Sequence, residues 1–214
     1  MSLNTVRNAL LATIAVSVVS FAQPPATVDF YYQVRYSANL NLGDSVINIT
    51  NTGGRGAGLA AGTTAATTGA LCVNVYAFSP DEQMISCCSC PVTPNGLVSL
   101  SARRDLVNNT LTPAVPTAIV VKLLASTPVG GSCSASAAAP VLPEIGMLAW
   151  GTTVHAAAVV GGTDRVTETP FLPASLSGGE FTRLTSLCTF IQANGSGFGI
   201  CSSCRLGGLG AGRL

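Results

Sequence analysis

The sequence predicts a mostly β chain: a disulfide-bearing β-sandwich of about seven strands with one C-terminal helix near residues 178–193. Three observations carry that prediction. Short alternating or wholly apolar runs are punctuated by turn residues. Eight cysteines, an even number, follow an export-type leader. Only one segment has helical periodicity, and it comes after the strands.

Residues 28–36 (VDFYYQVRY) alternate, with Val28, Phe30, Tyr32, Val34 and Tyr36 on one face and Asp29, Tyr31, Gln33 and Arg35 on the other. A second strand is expected over Ser45–Thr50, entered through Gly43-Asp44 and left through Asn51-Thr52-Gly53-Gly54. Residues 53–70 are almost entirely Gly, Ala and Thr, whose small side chains repay little of the entropy of ordering, so a long mobile loop is expected. Cys72–Phe78 and Gln83–Cys88 flank Ser79-Pro80-Asp81-Glu82, where Pro and Asp suit a type I turn and hence a hairpin. A four-residue connection there sets Cys72 opposite Ser89, within reach of Cys87, Cys88 or Cys90.

Pro94-Asn95-Gly96 is a turn into a strand at Leu97–Ser101. Thr117–Ala125 (TAIVVKLLA) is apolar on both faces except at Lys122, as a central strand would be. A second low-complexity loop, 128–143, contains Cys133, and 146–159 reads as one long strand or two short ones. The helix is announced by Ser177-Gly178-Gly179-Glu180, which has the capping-box spacing. Phe181, Leu184, Leu187, Cys188 and Ile191 form its apolar stripe, and Asn194-Gly195 its stop.

The domain layout follows. Arg7, the 14-residue apolar run Ala9–Ala22 and the small residues Ser20 and Ala22 read as a secretory signal, 1–22, cleaved before Gln23. Residues 23–206 form a single β-sandwich domain, and 207–214 a Gly-rich tail expected to fray. The location expected is secreted, extracellular or cell-surface, with the periplasm as the alternative. In that setting Cys72, Cys87, Cys88, Cys90, Cys133, Cys188, Cys201 and Cys204 read as four disulfides, in any of 105 connectivities. Adjacent Cys87 and Cys88 point to opposite faces of a strand and so need different partners. A metal site from Cys88, Cys90, Cys201 and Cys204 is the alternative, although C-C-x-C is not the usual knuckle. The Cys201–Cys204 pair lacks the following helix that a redox dithiol needs.

Composition narrows function. Charged residues make up 9% of the chain, against about 25% in ordinary soluble proteins. No cationic cluster is present to displace nucleic-acid counterions, so no nucleic-acid partner is expected. No membrane span is expected after signal cleavage. Without Arg7 the ten basic residues become nine, balancing the nine acidic ones. His155 is the single histidine, and Asp164 and Glu168 are the first carboxylates that follow it in sequence. No nucleophile-elbow, paired-carboxylate or phosphate-loop pattern accompanies them, so no catalytic residue, cofactor or metal is assigned. Asp81 and Glu82 belong to turn chemistry, and the sequons at Asn48, Asn108 and Asn194 matter only in a glycosylating host.

Gly43–Gly53 resembles the early strands of Ig-like repeats on bacterial surface proteins, over eleven residues. Cys133, Trp150 and Cys188 also give the Cys…Trp…Cys order of immunoglobulin domains. Cys188 falls on the predicted helix and Ser186 replaces the corner tyrosine, so only the Ig-like architecture is kept. The function expected is a secreted, non-enzymatic structural or adhesive surface protein, self-assembling into homo-oligomers or filaments by strand addition from 28–36. The alternative is an extracellular glycan- or small-ligand-binding module using an exposed ring of Tyr31, Tyr76 or Trp150.

Overall fold

The computed structural model describes residues 31–56, 68–110, 112, 114–201 and 204–206. The leader, the beginning of the 28–36 segment, the centre of the 53–70 loop and the C-terminal tail lie outside them. The strands are β1 (Tyr32–Ser37), β2 (Val46–Asn51), β3 (Leu71–Phe78), β4 (Met84–Val92), β5 (Leu97–Ser101), β6 (Ile119–Ser126), β7 (Met147–His155), β8 (Arg165–Pro170), β9 (Leu172–Pro173) and β10 (Arg205–Leu206). Helix α1 spans Gly178–Ala193. The first sheet runs β4-β3-β6-β1-β9 and the second β10-β5-β2-β7-β8, every neighbouring pair antiparallel. The chain is therefore a mostly β sandwich with one helix near its C-terminus. Three strands exceed the expected seven: β8, β9 and β10, the last two only two residues long.

The sandwich has a third layer, and that layer explains several sequence patterns. Between the sheets lie Ile47, Ile49, Val73, Val75, Val98, Leu100, Val121, Leu123 and Met147. On the outer face of the first sheet, Tyr76, Phe78, Cys87 and Leu124 meet Leu184, Cys188 and Ile191 of α1. β3 and β6 are thus covered on both faces, and all eight side chains of β3 are buried. Lys122 on β6 points to the helix side, where Nζ lies 2.5 Å from Glu180 Oε1 and 4.7 Å from the centre of the Phe78 ring.

Through its alternation β1 serves two layers. Its apolar residues Tyr32 and Val34 face the helix layer, and Tyr36 is exposed. Gln33, Arg35 and Ser37 are buried towards the second sheet, as Tyr32 is buried under the helix layer. β1 is also internal, paired with β6 along its whole length and with β9 at Gln33 and Val34. Tyr32–Ser37 is therefore committed to its own sheet.

The β3–β4 hairpin corrects the expected register. Glu82 N–H donates to Ser79 O at 3.0 Å, closing the turn at 79–82, but Glu82 then adopts φ 66° and adds a residue. A bulge beside Ala77/Phe78 adds another, so Cys72 stands opposite Pro91 rather than Ser89. Helix α1 follows its sequence signals more closely. The Ser177 hydroxyl accepts from Glu180 N–H at 3.1 Å, and Gly195 takes φ 65° just past the end. The box is not reciprocal, because the Glu180 carboxylate turns to Lys122.

Candidate functional site

The eight cysteines close four disulfides: Cys72–Cys133, Cys87–Cys188, Cys88–Cys201 and Cys90–Cys204. Strand geometry dictates their division. Cys87 points outward and ties β4 to α1; its neighbour Cys88 points inward and ties β4 to the segment after the helix. Cys72, also outward, reaches Cys133 in the 128–143 loop rather than Cys87, Cys88 or Cys90, a consequence of the two-residue shift in register. That loop lies against the first sheet: Ala135 and Ser136 are buried, and Tyr76 Oη donates to Ala135 O at 2.8 Å.

The residues proposed as an alternative metal site do gather in space. The sulfurs of Cys88, Cys90 and Cys204 lie within 4.8 Å of one another. All are bonded in disulfides, so they offer no thiolate ligand in this state. The cluster instead staples the C-terminal segment across one side of the sandwich. Ile200 forms a parallel bridge with Cys87 at the edge of the first sheet, and Arg205-Leu206 then pairs with β5 in the second.

The opposite side carries a different site. There β8 and β9 cross from the second sheet to the first, and a cleft of about 580 Å³ opens between them and β1. This volume falls within the ordinary range for small-ligand sites. Val34, Tyr36, Pro170, Leu172 and Pro173 supply apolar and aromatic surface; Arg35, Thr153, His155, Thr167 and Thr169 supply polar groups. Tyr36 is 62% exposed. Thr153 of β7 and Thr167 and Thr169 of β8 line the cleft with short hydroxyl side chains rather than large aliphatics.

Arg35 organises the polar wall. It is only 7% exposed, and among the described residues its guanidinium is held by hydroxyls. Nη2 donates to Thr153 Oγ1 at 2.8 Å, Nη1 to Ser37 Oγ at 2.9 Å and Nε to Thr169 Oγ1 at 3.3 Å. Gly151 on β7 makes the space: a Cβ there would sit 2.7 Å from Arg35 Cζ. Burial pulls the guanidinium below its ordinary pKa, while the charge of Glu168 works in the opposite sense. Glu168 itself accepts from Asn48 Nδ2 at 3.0 Å, and no carboxylate pairs with Arg35 among the described residues.

His155 ends β7 at the mouth of the cleft, with Nε2 2.8 Å from Thr167 Oγ1. Asp164 accepts from Ala157 N–H, so the two carboxylates that follow His155 in sequence are engaged elsewhere. Asp81 accepts from the Ser79 hydroxyl inside the hairpin turn. Of the three rings expected to bind ligand, Tyr76 is wholly buried, Trp150 is half-buried on the other sheet, and Tyr31 is 36% exposed. The ring at the cleft is Tyr36, and sequence reasoning passed over it together with Arg35. Their signal was present in the alternation of 28–36, once the apolar face was assigned to the helix layer.

Fold and site together define a disulfide-stapled β-sandwich with an outer helix and a polar-walled cleft at one side. No protein-family model matches the chain, and neither a curated protein nor a solved structure does.

Proposed function

We propose that the chain is an exported, non-enzymatic adhesive protein that works as a binding module, holding a small ligand or a glycan end in the cleft between β1, β8 and β9. The observation that carries this reading is the combination at that cleft of an exposed aromatic ring, an apolar strip and a row of threonine hydroxyls. Four disulfides suit an oxidising compartment, and no helix among the described residues is long and apolar enough to cross a membrane. The engagement of His155 by a threonine, with both nearby carboxylates occupied, supports binding over catalysis.

Thermal-shift and glycan-array screening of residues 23–214 tests the reading. Saturable binding that disappears in Tyr36→Ala, with the melting temperature unchanged, is the expected result. Screens without a hit at millimolar ligand overturn it.

Self-assembly is the second reading, and it now rests on β8 as an acceptor edge. All six side chains of β8 are exposed, and within the described residues its ladder is occupied only by β7. Arg165, Glu168 and Pro170 oppose docking there, since charge and proline are the usual guards of an open edge. Light scattering that finds a monomer at high concentration removes this reading.

A further inference from the structure

We infer that the cleft selects saccharides bearing a carboxylate, with Arg35 as the group that recognises the acid. This deepens the ligand-binding reading and rests on it. A guanidinium carries five N–H donors, and three are spent on Ser37, Thr153 and Thr169. One hydrogen on each terminal nitrogen is left without an acceptor among the described residues. Two N–H groups on one guanidinium suit the two oxygens of a carboxylate.

The remaining surroundings discriminate between anions. A phosphate dianion would be opposed by the field of Glu168 and met by a single buried cation, whereas phosphate sites gather several donors and charges. A lone carboxylate needs one cation. The hydroxyls of Thr153, Thr167 and Thr169 match the hydroxyls of a pyranose, and Tyr36 with Leu172 offers an apolar surface for the C–H face of its ring. A uronic-acid sugar combines these features, while an aliphatic acid would bring no hydroxyls to the threonine wall.

The fixed position of Arg35 is part of the mechanism. Three hydroxyls and Gly151 hold the guanidinium before any ligand arrives, so little side-chain freedom is lost on binding. The hydroxyls orient the charge without neutralising it, as a carboxylate partner would.

Calorimetric titration with a galacturonic-acid trisaccharide, its methyl ester and the neutral galactose trisaccharide tests the inference on residues 23–214 with disulfides intact. The acid is expected to bind at least about tenfold more tightly than the ester or the neutral sugar. Arg35→Met should abolish that preference, and Arg35→Lys should restore part of it. Should Arg35→Met not fold, the comparison of acid with ester on the unmodified protein still decides. Equal binding of all three sugars overturns the carboxylate inference but leaves the binding-module reading standing. Absence of binding by any of them, with an otherwise successful ligand screen, also overturns it. Absence in every screen removes both.

Discussion

The two open sides of the sandwich are closed by different chemistry. On the β4–β5 side, the segment after α1 is bonded through Cys88–Cys201 and Cys90–Cys204, and Arg205-Leu206 is laid along β5. On the β1–β8 side, closure depends on the buried Phe171, on Gln33 Nε2 donating to Met147 O at 2.9 Å and on hydroxyls around Arg35. On the proposed binding role, the comparison separates stability from recognition. Covalent closure leaves little for a ligand to contact, whereas a polar closure retains donors that a ligand can use.

The contrast can be broken from either side. Replacing Cys88, Cys90, Cys201 and Cys204 by Ala frees the segment after α1, which Cys87–Cys188 then tethers only at the helix. The loss should be about 4 kcal/mol, because the second bridge adds less to a segment already tethered by the first. A fall in melting temperature of roughly 10 °C is expected, with ligand affinity retained. Gly151→Ala acts on the other side and pushes its Cβ into the guanidinium. It should cost about 1–3 kcal/mol in denaturant titration and abolish ligand binding. If both variants lose affinity equally, the division of labour between the two sides is wrong.

Two smaller effects serve as references in the outer layer. Ser177→Ala deletes the hydroxyl that caps α1 and should lower stability by about 1 kcal/mol, with binding unaffected. Burial and the nearby Glu180 raise the Tyr32 phenol to about 12. The folded state then keeps that proton where the unfolded chain has lost it. Stability is accordingly complete below pH 10 and declines as pH rises towards about 12. Phenolate absorbance of Tyr32, assigned by comparison with Tyr32→Phe, should emerge late; emergence at the ordinary tyrosine pH would contradict its burial.

Local signals in the sequence located elements reliably where the deciding physics was local. Ser177 and Asn194-Gly195 bounded the helix, Pro80-Asp81 gave the hairpin, and adjacency alone sent Cys87 and Cys88 to different partners. Errors arose where one residue's conformation propagated. Glu82 in the left-handed region, with the bulge beyond it, moved every cross-strand partner of Cys72. Alternation in 28–36 identified a strand but not which face met the other sheet, because an apolar face suits a helix layer as well as a sandwich core. The site was least legible. Arg35 is polar in sequence and buried in space, and β8, with all its side chains exposed, has no apolar pattern to reveal it.

The disulfides also impose an order in time. Counted along the chain, the first cysteine joins the fifth, the second the sixth, the third the seventh and the fourth the eighth. An oxidant that meets the chain from its N-terminus encounters Cys72, Cys87, Cys88 and Cys90 before any correct partner has emerged. Every bond it can make among those four is a wrong one. Maturation therefore requires either that the thiols wait for Cys133 and its successors or that an isomerase reshuffles early errors, and oxidative refolding with and without such an enzyme would tell the two apart.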